Sequence, residues 1–158
     1  MLLPTKIDIP SKTRESLIVI LNGCLSDSVD LALQAKGNHW NVKGPSFTSL
    51  HKLFDEVAES AQNYADLIAE RIVQLGGVAL GSSQIVAATT SLPPQTITTF
   101  QSEILNCLST SLSIYSANMR RTIEFSTYMK DDVTADILIE ITRGSDKWLW
   151  MVESHMVI

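Results

Sequence analysis

The chain has 158 residues, seven glycines, five prolines and a formal net charge of −5, long enough for one domain with a substantial core. Its acidic balance argues against a surface that grips phosphate backbones by bulk electrostatics and suits one that attracts cations. No stretch reads as long and apolar enough to span a bilayer. The start MLLPTKIDIP has no basic region leading into an apolar run, so no secretory signal is expected.

Residues 1–11 are expected to form a mobile N-terminal segment. A first helix follows from about Ser11 to His39, with Leu17, Ile20, Leu21, Cys24, Leu25, Leu31, Ala32 and Ala35 at helical spacing. Gly37, Gly44 and Pro45 mark its end and the connection, and Ser46 is the expected N-cap of a second helix. That helix carries Leu50, Phe54, Val57, Ala61, Tyr64, Ile68, Ile72 and Leu75 on its core face and stops at Gly76-Gly77. The segment Gly77–Gln95 is long for a hairpin loop, and its middle predicts a short extra helix before Pro93-Pro94. A third helix is expected from about Thr96 to Tyr128, with Ile104, Leu108, Tyr115 and Met119 inward. A fourth begins near Asp131-Asp132 and turns Ile137, Ile141, Trp148 and Val152 inward. No strand alternation and no repeat appears. The expected fold is therefore all-α: a four-helix bundle over residues 1–158, with the extra helix in its one long connection. Cys24 and Cys107 fall inside apolar helical patterns and read as buried, reduced thiols of a cytoplasmic protein.

Chemistry concentrates on the second helix. His51/Asp55 and Asp66/Glu70 are both i,i+4 pairs, so each places two metal-ligating side chains on one helix face. At roughly 100° per residue the four positions share an arc of about 100°. Along the axis, however, Asp55 and Asp66 stand about 16 Å apart, far beyond the roughly 2 Å reach of a metal–ligand bond. One straight helix cannot bring both pairs to one ion. The pairs mirror each other about positions 60 and 61, so two antiparallel copies would face His51/Asp55 of one chain against Asp66/Glu70 of the other. Such a dimer has two equivalent shared sites. His39, across the turn joining the first two helices, is placed to join His51 and Asp55. Imidazoles with carboxylates suit Fe²⁺, Mn²⁺ or Zn²⁺ rather than Ca²⁺ or Mg²⁺. A ligand set split between chains leaves coordination positions open, as in redox or hydrolytic sites.

These residues also carry a family resemblance. The runs from His39 to Phe47, from Leu50 through His51 to Asp55, and from Asp66 to Glu70 and Arg71 resemble the signature of the Dps family of ferritin-like proteins. The stretch Asp132 to Met151, with Asp136, Glu140, Arg143 and Asp146, is similar to that family's last helix. The resemblance covers roughly residues 12 to 155. It implies a ferroxidase centre between two-fold-related subunits, with His39, His51 and Asp55 from one chain and Asp66 and Glu70 from its partner. It also implies a hollow shell of twelve chains that oxidises Fe²⁺ with hydrogen peroxide or oxygen and stores ferric (Fe³⁺) mineral. None of the five ligands is substituted. Shared sites thus follow from helix geometry as well as from the family, whereas the shell and the iron chemistry follow from the family alone.

Other residues have duller readings beside functional ones. Glu59 and Gln62 lie on the same arc and suit a dimer interface better than a ligand role. Trp40 beside His39 is an interface aromatic or a sink for oxidising equivalents. His155 suits a helix C-terminus. Of the acidic cluster Asp131, Asp132, Asp136 and Glu140, Asp131 or Asp132 caps the fourth helix, while the resemblance implies an iron-entry pore at Asp136 and Glu140. Two function classes follow. The first is an iron-oxidising storage shell, with zinc at the same ligands as a variant. The second is a DNA-compacting shell, as some relatives are, which needs a basic arm. Here the start offers only Lys6, Lys12 and Arg14, offset by Asp8 and Glu15, and the chain ends in Met156-Val157-Ile158. DNA binding is not expected.

Overall fold

The computed structural model describes residues 2–156 and contains five helices: α1 (Ser11–Asn41), α2 (Phe47–Gln74), α3 (Ser83–Thr89), α4 (Gln101–Tyr128) and α5 (Asp132–Glu153). Val157 and Ile158, cited above against a basic arm, lie outside the described residues. α1 packs along α2 and α4 along α5; α1–α4 and α2–α5 contacts close the four-helix bundle, and α3 lies against α1. Leu17, Leu21, Leu50, Phe54, Ile68, Ile72, Leu108, Leu112, Leu138 and Ile141 are essentially solvent-free. Each such side chain contributes about 1.5–3 kcal/mol of burial. The expected core faces hold, except that Ile20, Tyr64, Ile137 and Trp148 are half-buried.

The end of α2 is built by Gly76. Its φ of +85° favours glycine, its N–H bonds Val73 O at 2.9 Å, and Gly77 N reaches back to Ile72 O at 2.9 Å. These bonds satisfy two of the carbonyls a helix end leaves free. At the head of α5, Asp131 accepts Thr134 N at 3.1 Å and is the cap. Ser46 occupies the N-cap of α2 but its side chain caps nothing. The turn at Gly44 (φ +120°) supplies the first acceptor instead, bonding Phe47 N at 3.0 Å.

α4 begins at Gln101 rather than Thr96, because the preceding residues are engaged in docking. Gln95 Nε2 donates to Gln34 O at 2.9 Å and Asn38 Oδ1 at 2.7 Å, and Lys43 N bonds Thr99 O at 3.3 Å. The long connection is held throughout by polar groups of α1. Buried Asp27 accepts Ser91 N at 2.7 Å, Ser91 Oγ at 2.8 Å and Asn118 Nδ2 at 3.0 Å, while Gln34 Nε2 donates to Pro93 O at 3.0 Å. Contrary to the sequence reading, α1 is long and apolar enough to cross a bilayer by length and composition alone. Its role in the bundle explains the composition: one face is core, and its polar residues serve the connection.

Cys24 is buried, and desolvation pushes its thiol up to about 11. Cys107 is free as well but only half-buried. The segment expected to be mobile has no regular structure over residues 2–10, and Ser11 already belongs to α1. It is tied at Leu3, whose N–H bonds Gly76 O at 2.7 Å, and at Ile9, whose carbonyl accepts Arg14 Nε at 3.0 Å.

Candidate metal centre

The short α1–α2 turn sets the last turn of α1 beside the first turns of α2, and so His39 beside His51. Their rings stack with centroids 3.7 Å apart and planes 20° from parallel. His39 Nδ1 lies 2.6 Å from His51 O, and His51 Nδ1 lies 2.8 Å from His39 O. A carbonyl only accepts, so each Nδ1 carries the proton. In the neutral imidazole that leaves each Nε2 with its lone pair, the arrangement in which an outer partner fixes the tautomer of a metal-binding histidine. Phe47 tilts against His51 at 4.9 Å between centroids.

Asp55 stands one turn beyond His51 and pairs with Lys36 of α1; both are partly exposed. The hydrogen bond from Lys36, more than the charges of Lys36 and the two histidines, holds the Asp55 carboxyl below the usual carboxylate range. An incoming cation would compete with the ammonium for that oxygen. Among the described residues no three His, Cys, Asp or Glu side chains converge closely enough to hold an ion. One chain therefore assembles two histidines with a lysine-bound aspartate nearby. α2 is unbroken across the interval, so Asp66 and Glu70 stay about three and about four turns beyond Asp55.

Asp66 and Glu70 are exposed, as are Glu59 and Gln62 on the same arc. Glu70 rims an open groove with Ala69, Val73, Gln74 and Ala79, beside the exposed apolar residues Val73, Val78 and Leu80. Trp40 is exposed next to His39. His155 is exposed at the end of α5, its Nδ1 2.9 Å from Met151 O, as suits a helix C-terminus. In the acidic cluster Asp131 is buried, bonded to Arg71, and faces no solvent. Asp132, Asp136 and Glu140 are exposed, the last two one turn apart.

Two ion pairs escaped the sequence reading, Lys36 with Asp55 and Arg71 with Asp131. Lys36 precedes His39 by three positions on α1, and that i,i+3 spacing was the available signal. Arg71 falls between Ile68 and Ile72 at the core edge, where a cation needs a partner, although nothing local points to Asp131.

The family model for the ferritin-like domain matches residues 18–157. The chain is 43% identical over 155 residues to the DNA protection during starvation protein of Agrobacterium fabrum, covering 96% of this chain and 94% of the relative. Its fold is similar to that of DpsC from Streptomyces coelicolor, with a TM-score of 0.94 at 27% identity over 100% of this chain and 93% of that one. It is also similar to Dps from Microbacterium arborescens in the high iron form, with a TM-score of 0.86 at 26% identity over 98% of each chain.

Proposed function

The chain belongs to the Dps family of ferritin-like proteins, and on that footing we propose that it is an iron-oxidising and iron-storing shell protein. The observation that carries this reading is the reciprocal bonding of His39 and His51, which leaves two Nε2 lone pairs free on stacked rings. With Asp55 they form one half of the centre; Asp66 and Glu70 of the partner subunit complete it across a two-fold axis. Fe²⁺ is the substrate. Nitrogen and carboxylate donors hold reduced iron, and the incomplete protein ligand set leaves room for an oxidant. Hydrogen peroxide takes one electron from each of two Fe²⁺ ions and leaves as water or hydroxide, so neither reactant remains for hydroxyl-radical chemistry. Ferric product is kept as mineral inside a dodecamer of these single-domain chains, which Fe²⁺ enters at Asp136 and Glu140. The reading places the protein in the cytoplasm, where its free thiols persist reduced.

The deciding experiment is anaerobic Fe²⁺ loading of the apoprotein, followed by separate additions of peroxide and oxygen while ferric absorbance is recorded. Rapid oxidation that is lost in His51→Ala supports the centre. Zn²⁺ bound in place of iron, with slow oxidation by either reagent, would make it a zinc-occupied shell. The DNA-compacting alternative is disfavoured by a specific contact. Arg14, one of the three cations near the start, is buried, and its Nη1 donates to Leu75 O at 2.8 Å.

A further inference from the structure

The buried ion pair of the described residues joins Arg71 of α2 to Asp131 at the head of α5, with side chains 6% and 1% exposed. Arg71 Nη2 donates to both Asp131 oxygens at 2.9 and 3.0 Å, Nε to Thr134 Oγ1 at 2.8 Å, and Nη1 to Gln74 Oε1 at 3.2 Å. Burying such a pair adds little net stability over apolar residues of similar volume. What an arginine fork supplies is fixed geometry.

That geometry falls at an informative place. Arg71 is the residue after Glu70, in the last turns of α2, where helices ordinarily fray. On another side Arg14 Nη1 grips the carbonyl of Leu75, just past the end of the same helix. Glu70 itself is exposed and makes no ion pair among the described residues. Among the described residues nothing holds its carboxylate directly, so its position depends on how the helix end beneath it is held.

We propose that Arg71 is a positioning residue for Glu70: by locking onto Asp131 it fixes the height and rotation of the last turns of α2, and so the point at which Glu70 meets the histidines of the partner subunit. The inference rests on the shared-centre reading above. Because Asp131 is the cap of α5, the same lock also ties Glu70 to the helix that carries Asp136 and Glu140.

Co²⁺ is a suitable probe for the assembled full-length protein, since its visible absorption reports ligand number and geometry without turnover. Two variants are compared with wild type. Arg71→Lys keeps the charge but loses the fork. The double variant Arg71→Met with Asp131→Asn removes both charges while keeping the volume and a side chain that caps α5. The double variant is expected to bind Co²⁺ about tenfold more weakly or worse, as loss of an outer-shell partner commonly does, with an altered spectrum; Arg71→Lys should fall between. Wild-type affinity and spectrum alongside only a lowered melting temperature would overturn the proposal and leave the pair purely architectural. Should the double variant fail to assemble, Arg71→Lys decides alone, and a wild-type spectrum there refutes the lock. A His51→Ala control separates the two levels. If it leaves Co²⁺ binding intact, the shared centre itself is wrong and this inference falls with it.

Discussion

If each centre is divided between two chains, two inactive variants should restore each other. α2 runs unbroken from Phe47 to Gln74, so the eleven residues from Asp55 to Asp66 place the two ligand pairs about 16 Å apart along its axis. Metal–ligand bonds of about 2 Å cannot close that gap within one helix. His51→Ala damages the histidine half and leaves Asp66 and Glu70 sound; Glu70→Ala does the reverse. Both positions lie outside the buried core, so either variant should still fold. When the two are co-refolded in equal amounts, about half of the dimers are mixed. Each mixed dimer has one intact and one doubly damaged centre, so about a quarter of all centres recover. The assay is the initial rate of peroxide-driven Fe²⁺ oxidation in shells whose mixed composition is verified by mass spectrometry. Recovery near a quarter of the wild-type rate is expected, against background for either variant alone. Background rates in verified mixed shells would refute the division of the centre between chains.

Lys36→Met frees Asp55 from its ammonium partner and removes a nearby positive charge. Because the pair is partly exposed, Co²⁺ binding should tighten by at most about fivefold, and weaker binding would show that Lys36 supports the centre rather than competing with the metal. Asp136→Asn with Glu140→Gln should slow Fe²⁺ uptake most at low ionic strength while leaving equilibrium metal binding unchanged; uptake at the wild-type rate in low salt would reduce the acidic face to a helix start. Asp27→Ala removes the acceptor of the Ser91 N–H and hydroxyl, while Asn118 Nδ2 keeps its bond to Ser91 Oγ. It should cost about 1–2 kcal/mol and expose residues 81–93 to limited proteolysis, and an unchanged melting temperature would mean that the connection is held elsewhere. Plasmid DNA should not be retarded in a gel at about 0.15 M salt, because each chain brings a net charge of −5; saturable retardation by metal-free protein would reveal a basic surface that only assembly creates.

The helices, most of their inward faces, the stop at Gly76, the short α3 and a cap at Asp131 or Asp132 were legible in the sequence, because each depends on interactions within a few residues of the chain; the structure chose Asp131. The spacing of His51, Asp55, Asp66 and Glu70 was legible for the same reason: an α-helix converts sequence separation directly into angle and height. Where a distant segment competes for the same backbone, local rules failed. The start of α4 moved to Gln101 because Gln95 and Thr99 bond to α1 and the α1–α2 turn, and Ser46 yielded its capping role to the turn at Gly44. The apolar length of α1 is that of a core helix, one face of which packs into the bundle while its polar residues hold the connection. The tertiary structure alone supplied the exchange of Nδ1 bonds between His39 and His51, the occupation of Asp55 by Lys36, the burial of Arg14 and the Arg71–Asp131 lock. Each joins groups on different helices or across a turn, and their meeting depends on the direction in which one helix crosses another, a quantity that no periodicity along a single helix encodes.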